Sequence, residues 1–347
     1  MEHYAGIDVS LEHSSVCVVD ATGQIVREAS VASEPEALIA WFKVLGFPLA
    51  RIGLEAGPLS QWLYAAMARA GLKVELLETR HVRDAFKAMP VKTDRKDARG
   101  IAQLMRLGWF RPVHCKSLPA QEARALLTVR KLVQSKLHDV EMGLRGVLRG
   151  FGLKVGPTTP RSFEGRAREL VAGHSTLTLL GEALLAARSV LMKELGGLEK
   201  RVRATARSDE RVRLLMSAPG VGAIVGLTYV SAIDDPSRFR SSRMVGAHFG
   251  LTPKRYQSGE TDITGRISKI GDAGVRTVLY EAANVILTRP VRGSALKRWA
   301  MAVAKRAGMR KAKVALARKL AVVLHRMWID GTPFDADKAA AAPIAAV

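Results

Sequence analysis

The chain is 347 residues long and 48% hydrophobic, with a formal charge of +22 at neutral pH. That length holds two domains and a connecting element, each with its own core, and the hydrophobic share excludes a wholly disordered chain. Self-repulsion at +22 opposes compaction, so a polyanionic partner is expected, nucleic acid ahead of an anionic membrane surface, while two cysteines, Cys17 and Cys115, are too few for a disulfide framework or a cysteine-based zinc site.

At the N-terminus, Met1-Glu2-His3-Tyr4 has neither the basic nor the apolar region of a signal peptide. Residues 4–9 form an apolar run up to Asp8 and residues 15–19 a second; after the turn chemistry of Asp20-Ala21-Thr22-Gly23, residues 25–30 supply a third. Three strands in a meander are predicted. Leu38, Ile39, Trp41, Phe42 and Leu45 recur at helical spacing within 34–45. A short strand over 51–55, a helix opened by Pro58 with Trp62, Leu63 and Met67, and a strand over 73–77 complete a βαβ run. A meander followed by βαβα units is the order of an RNase H-like fold.

Residues 121–148 and 176–207 read as long helices, weakened only by Gly143, Gly146 and Gly196-Gly197, on either side of a Gly, Pro and Thr-rich connection at 150–160. Such a pair forms a helical hairpin or coiled coil, open to dimerisation or to packing within one chain. From Val212 a third region begins, where Ala218-Pro219-Gly220-Val221-Gly222 lies between apolar helical runs. This is a helix-hairpin-helix pattern, in which Gly220 and Gly222 let backbone N–H groups approach a phosphate; a tight turn between two core helices accounts for the same residues. Further on, Arg289, Arg292, Lys297, Arg298, Lys305, Arg306, Arg310, Lys311, Lys313, Arg318, Lys319 and Arg326 follow with no acid between them. A merely solvated helix face mixes signs, so a phosphate-binding surface is expected. The most apolar stretches near the end, 314–317 and 320–324, are split by Arg318 and Lys319, and neither approaches the roughly 20 residues of a bilayer span. The tail 339–347 is low-complexity and expected to fray. The fold class is thus α/β plus α. An RNase H-like mixed sheet occupies 1–118, long helices 119–208 and a mainly helical domain 209–335, ahead of a tail at 336–347. A cytoplasmic protein with reduced thiols, without a membrane partner, is expected.

Four acids stand where an RNase H-like site needs them. Asp8 closes the first strand in Gly6-Ile7-Asp8, Glu55 ends another in Gly53-Leu54-Glu55-Ala56-Gly57, and Asp94 and Asp97 open a helix in Lys92-Thr93-Asp94-Arg95-Lys96-Asp97. The i,i+3 spacing puts Asp94 and Asp97 on one helical face. Phosphodiester transfer at neutral pH calls for Mg²⁺ or Mn²⁺ on hard oxygen ligands, and clustered carboxylates raise one another's pKa unless a cation lies between them. Singly, each has a duller role: Asp8 as a strand-end cap, Asp94 as a helix N-cap with Asp97 at its third position. A second constellation centres on Ser258, before Gly259 in a polar loop, with Lys254, Arg255, Arg266, Lys269 and Arg276 nearby in sequence. A serine hydroxyl is a weak nucleophile unless activated; clustered cations bind a phosphate and stabilise developing charge, and a Ser-Gly turn or plain phosphate contact fits the same residues.

In this order, Gly6-Ile7-Asp8, Glu55-Ala56-Gly57, Lys92-Thr93-Asp94 through Asp97-Ala98, Pro219-Gly220-Val221-Gly222, Gly250-Leu251-Thr252-Pro253, Gln257-Ser258-Gly259 and Ser268-Lys269-Ile270-Gly271 resemble the insertion sequence 110 family of transposases. The resemblance spans nearly the whole chain. It implies a RuvC-like domain with Asp8, Glu55, Asp94 and Asp97 as metal ligands, and a transposase domain in which Ser258 is the nucleophile, with Ser241, Ser242 and Ser268 as neighbouring alternatives. It also implies a covalent serine–DNA link, a site composed from different protomers of a dimer or tetramer, and a structured non-coding guide RNA. A hydrolytic nuclease or junction resolvase using the same carboxylates is the competing function. An actin-like sugar kinase would need further glycine-rich phosphate loops in its second half, and its substrates do not call for a charge of +22; a binding-only protein would show no nicking.

Overall fold

The computed structural model describes residues 2–87, 91–290 and 295–336; Arg292 and the 339–347 tail lie outside them. The chain divides into two units, Met1–Lys116 and Ser117–Val347.

In the first unit, alternation along the strands decides what each face of the sheet carries. Strands β1 (His3–Asp8), β2 (His13–Asp20) and β3 (Ile25–Ala32) form an antiparallel meander, and β4 (Leu49–Glu55) and β5 (Val74–Leu77) add in parallel, giving the order β3-β2-β1-β4-β5. Ala5, Ile7, Ile52 and Leu54 point to one face, where Leu38 and Phe42 of α1 (Pro35–Lys43) and Leu63 and Met67 of α2 (Ser60–Arg69) complete a core. Tyr4, Cys17 and Val19 point to the other, against Ala98, Ile101, Ala102 and Met105 of α4 (Asp94–Leu107), which follows α3 (Thr79–Phe86).

Two glycines let α4 lie on the sheet. A Cβ on Gly6 would stand 2.2 Å from the Ala98 carbonyl oxygen and 2.4 Å from the Ala102 nitrogen, and one on Gly53 2.8 Å from the Met105 sulfur. Helix α4 starts at a Thr93 cap whose hydroxyl accepts from the Lys96 N–H at 3.3 Å, so the expectation that Asp94 caps it is corrected: the extended residue is Thr93, and Asp94 is already helical. The helix is tied to β3 by Glu28, which accepts from Arg95 Nε at 2.8 Å and Arg99 Nη2 at 2.8 Å. Those guanidiniums, Arg99 first, hold the Glu28 carboxyl down at about 2.

The second unit begins with two long helices, α5 (Leu118–Gly150) and α7 (Ser175–Ser208), unbroken at Gly143, Gly146, Gly196 or Gly197. They run antiparallel and pack on each other within the chain, with Arg130 on Glu199 at 2.8 Å and Arg188 on Glu141 at 2.7 Å. Helix α6 (Phe163–Val171) closes their far end around Leu144, Leu148, Phe163 and Leu185. By length and composition α7 does reach what a bilayer span requires, with an 18-residue window of mean hydropathy 1.3. The remaining helices, α8 (Glu210–Leu215), α9 (Ala223–Ile233), α10 (Met244–His248), α11 (Ala273–Thr288), α12 (Ala295–Ala307) and α13 (Met309–Asp330), enclose a core around Tyr229, Phe249, Leu279, Leu316 and Leu320. Between α10 and α11 the chain forms an exposed antiparallel ribbon, β6 (Pro253–Ser258) and β7 (Thr261–Ile267), where sequence reading expected a loop.

Candidate active site

The strand alternation that sends Ala5, Ile7, Ile52 and Leu54 into one core sends Asp8 and Glu55 to the opposite face, beneath α4. β1 and β4 are parallel neighbours with Ile7 opposite Leu54, so the two acids end adjacent strands one residue later. The close approach of α4 at Gly6 and Ala98 brings Asp97, next to Ala98, onto the same end of the sheet. Asp97 is 9% exposed, and Asp94, one turn earlier, is open to solvent.

The electrostatics record their convergence. Burial first, then the charges of Asp97, Asp94 and Glu55, push the Asp8 carboxyl up to about 6, against the pull of Lys92. Burial raises Glu55 too, opposed by Lys92 and assisted by Asp97. Lys92 Nζ lies 3.8 Å from Asp97 Oδ2. Lys92 was missed as a site residue, although Lys92-Thr93-Asp94 offered the signal: a cation two residues before an acidic helix start. Among the described residues, no three His, Cys, Asp or Glu side chains stand together as a formed metal cage. Asp97, Asp94 and Glu55 all act on Asp8, and Asp97 acts on Glu55, without three of them closing into such a cage. As a donor set they suit a hard divalent cation: each is an oxygen ligand, and a cation among them would relieve the repulsion that raises Asp8.

Ser258 is the last residue of β6, exposed, paired with Thr261 across a turn in which Gly259 has φ +55°. Lys254, Arg255 and Arg266 are exposed on the ribbon, and Arg255 is engaged with Asp262 at 2.6 Å. Below the ribbon two backbone segments cross. Cβ atoms on Gly250 and Gly271 would each stand 2.2 Å from a carbonyl oxygen, of Ile270 and His248 respectively. Lys269, exposed in this crossing, holds φ at +56° without being glycine, a strained conformation of the kind found at working loops. Arg276 Nη1 donates to the carbonyls of Phe249 (3.1 Å), Ile270 (3.0 Å) and Gly271 (3.0 Å), so that edge of its guanidinium is committed to the crossing.

The glycine pair at 220–222 divides in role. A Cβ on Gly220 would lie 2.6 Å from the Ala282 carbonyl of α11, so its missing side chain serves packing, whereas Gly222 faces open space as the N-cap of α9. The basic segment is sorted in the same way. Lys319 is buried with its ammonium over Trp299, Lys313 lies over Tyr280 and Arg326 pairs with Asp330, while Arg298, Lys305, Arg306, Arg310 and Lys311 are exposed.

A mixed sheet with acids at its strand ends, followed by a cation-rich helical unit, suits an enzyme that works on nucleic acid, and the likeness to known proteins narrows that class to a transposase. Two family models match, one described as "Transposase", of the DEDD type of the IS110 group, over residues 5–152, and "Transposase IS116/IS110/IS902 family" over 212–315. The chain belongs to the IS110 family of transposases. It is 29% identical over 331 residues to the transposase for insertion sequence element IS1111A of Coxiella burnetii, covering 92% of this chain and 87% of that one. The Pseudomonas aeruginosa protein named "Probable family 20 transposase" is 26% identical over 80% of this chain and 83% of its own length. The transposase for insertion sequence element IS1328 of Yersinia enterocolitica is 24% identical over 82% and 85%.

Proposed function

We infer that this transposase cuts and rejoins DNA by a metal-assisted reaction in which Ser258 is the nucleophile. The observation that carries the carboxylate half is the placement of Asp8 and Glu55 at the ends of adjacent parallel strands, with α4 seated on Gly6 so that Asp97 comes down beside them; the raised Asp8 carboxyl accords with it. The strand order β3-β2-β1-β4-β5 with α4 laid on β1 supports an RNase H-like, RuvC-like fold for the first unit. Asp8, Glu55, Asp94 and Asp97 would hold Mg²⁺ or Mn²⁺, which supplies Lewis-acid stabilisation of phosphate charge when bound.

The chain's own groups do the rest. Ser258 Oγ forms a bond to phosphorus and the bond from phosphorus to one DNA oxygen breaks. The serine proton ends on that oxygen, leaving a DNA hydroxyl and a serine phosphodiester. Attack by a hydroxyl of another strand reverses the step, so strands are exchanged without loss of phosphodiester energy. Lys254, Arg266 and Lys269, with Arg255 and the outer edge of Arg276, contact the backbone phosphates, and the N–H groups at Gly222, with the Gly220 turn before them, offer a further phosphate contact. A structured guide RNA selecting the DNA, a dimer or tetramer, and a cytoplasmic location complete the reading. The exposed Val129, Leu132, Leu179 and Val190 on α5 and α7 support self-association.

The test is denaturing electrophoresis of labelled DNA incubated with protein, the element's RNA and Mg²⁺ or Mn²⁺. A protein–DNA adduct lost in Ser258→Ala is expected. Cleavage that leaves no adduct and persists in Ser258→Ala would assign the carboxylates to hydrolysis instead.

A further inference from the structure

The ribbon that carries Ser258 has two unlike faces. Its pairs run Tyr256 with Ile263, Gln257 with Asp262 and Ser258 with Thr261. Strand alternation therefore puts Tyr256, Ser258, Thr261 and Ile263 on one face and Arg255, Gln257 and Asp262 on the other. The second face is closed on itself, since Arg255 donates to Asp262 through Nε at 2.8 Å and Nη2 at 2.6 Å. The first is open: Tyr256 is 64% and Ile263 58% exposed. Among the described residues β6 and β7 pair only with each other. A lone two-stranded ribbon is marginal in water, and an apolar cross-strand pair held out in solvent marks a contact surface.

We propose that the Tyr256–Ile263 face is a stacking platform for the DNA bases beside the phosphodiester that Ser258 attacks, an assignment that rests on the serine reading above. The occupant must match two things at once. Lys254 and Arg266 on the ribbon and Lys269 just beyond it are exposed cations and call for a polyanion, and the Tyr256 and Ile263 side chains call for flat apolar surface; a DNA strand presents both. The spacing agrees. Tyr256 and Ser258 are about 6.8 Å apart along the strand, which is about two base steps at ~3.4 Å each. A ring there stacks on whichever base arrives, and so acts as a positioning residue that holds the backbone in register with the Ser258 hydroxyl.

The probe is a duplex spanning the junction of the element and its host flank, carrying 2-aminopurine one or two bases from the cleavage position. It is bound to protein in a Ser258→Ala background so that it stays uncut. Quenching of the probe is expected, to be lost in Tyr256→Ala and kept in Tyr256→Phe, with affinity about tenfold weaker in the alanine variant and an unchanged salt slope. Equal fluorescence and affinity in Tyr256→Ala would overturn the platform, and so would quenching seen only with a single-stranded RNA probe. Tyr256 is exposed, so its variants fold. A quench that depends on Tyr256, found alongside cleavage that survives Ser258→Ala, would keep the base contact and remove the serine.

Discussion

The carboxylate face of the first unit and the serine ribbon of the second are built on opposite plans. Asp8, Glu55 and Asp97 are held by packing: strand ends fixed by the register of β1 and β4, and a helix brought down onto Gly6 and Gly53. The ribbon is exposed along most of its length, and among the described residues a Cβ on Gly259 would meet nothing within 4 Å. Like charges stay together only where a rigid scaffold opposes their repulsion, so acids destined for one cation need a core around them. If Ser258 is the nucleophile proposed above, it has to meet a long polyanion, which calls for reach and leaves its geometry to be completed by what it binds.

The sharpest way to break that comparison is Asp8→Asn. Removing one carboxylate from a metal-assisted phosphoryl transfer forfeits several kcal/mol, and ~4 kcal/mol is about a thousandfold in rate. Cleavage measured on labelled DNA should fall by that order while the fold persists, since asparagine fills the same space. A variant that cleaves normally would remove Asp8 from the site.

What the sequence made legible follows the same division. The meander, the βαβ run and the acids at strand ends were readable because each side chain there has a periodic apolar neighbour: Ile7 beside Asp8, Leu54 beside Glu55. The close seat of α4 was not, because Gly6 and Gly53 show their purpose only once Ala98 and Met105 stand over them. The ribbon escaped notice for the reverse reason. Polar residues on both strands hide period-two alternation, and Gly259-Glu260 as a two-residue hairpin turn with glycine first was the signal left unused. Gly220 was readable as a turn, but its packing on Ala282 depends on a helix some sixty residues later. Lys92 went unassigned because its place two residues before the acidic helix start was the only local signal, and its field across Asp8, Glu55 and Asp97 appears only once the sheet and α4 are assembled.

Gly6→Ala tests the scaffold directly. The new Cβ would meet helix backbone at 2.2 and 2.4 Å, where no side chain can turn away. Overpacking of that kind costs about 3 kcal/mol, to be read from urea unfolding, with cleavage reduced alongside. Gly259→Ala is the counterpart on the ribbon: left-handed φ costs about 1 kcal/mol locally, and the unfolding midpoint should move far less. Arg276→Ala falls between them. Losing a guanidinium nitrogen that binds three carbonyls should cost about 2 kcal/mol, and Arg276→Lys should recover only part, because an ammonium on a shorter, more flexible stem is held less well at that point.

A smaller effect separates the units by pH. The folded Asp8 carboxyl lies near 6, above its ordinary value of 3.8, so the folded chain binds more protons between those limits than the unfolded chain. Stability from this group is greatest below about 4 and is lost as pH rises through 6. Asp8→Asn should therefore stabilise chelator-treated protein at pH 7.5 by about 1 kcal/mol, after allowing for solvent screening, and leave it unchanged at pH 4. A destabilised variant at pH 7.5 would show that the carboxylate is paired and not repelled.

The finest cut concerns Arg255, which the exposed pair with Asp262 holds on the closed face of the ribbon. Neither Asp262→Asn nor Arg255→Gln should shift Tm measurably, because a solvated ion pair at a ribbon tip secures no core. DNA binding should respond instead. Each phosphate neutralised contributes about 0.9 to the slope of log affinity against log salt. If Arg255 exchanges Asp262 for a phosphate on binding, Arg255→Gln flattens the slope by about that amount. Asp262→Asn then strengthens binding with the slope retained, since the guanidinium no longer has to leave a carboxylate. Identical slopes and affinities in all three proteins would make Arg255 a strut of the ribbon alone, leaving Lys254 and Arg266 as the ribbon's phosphate contacts.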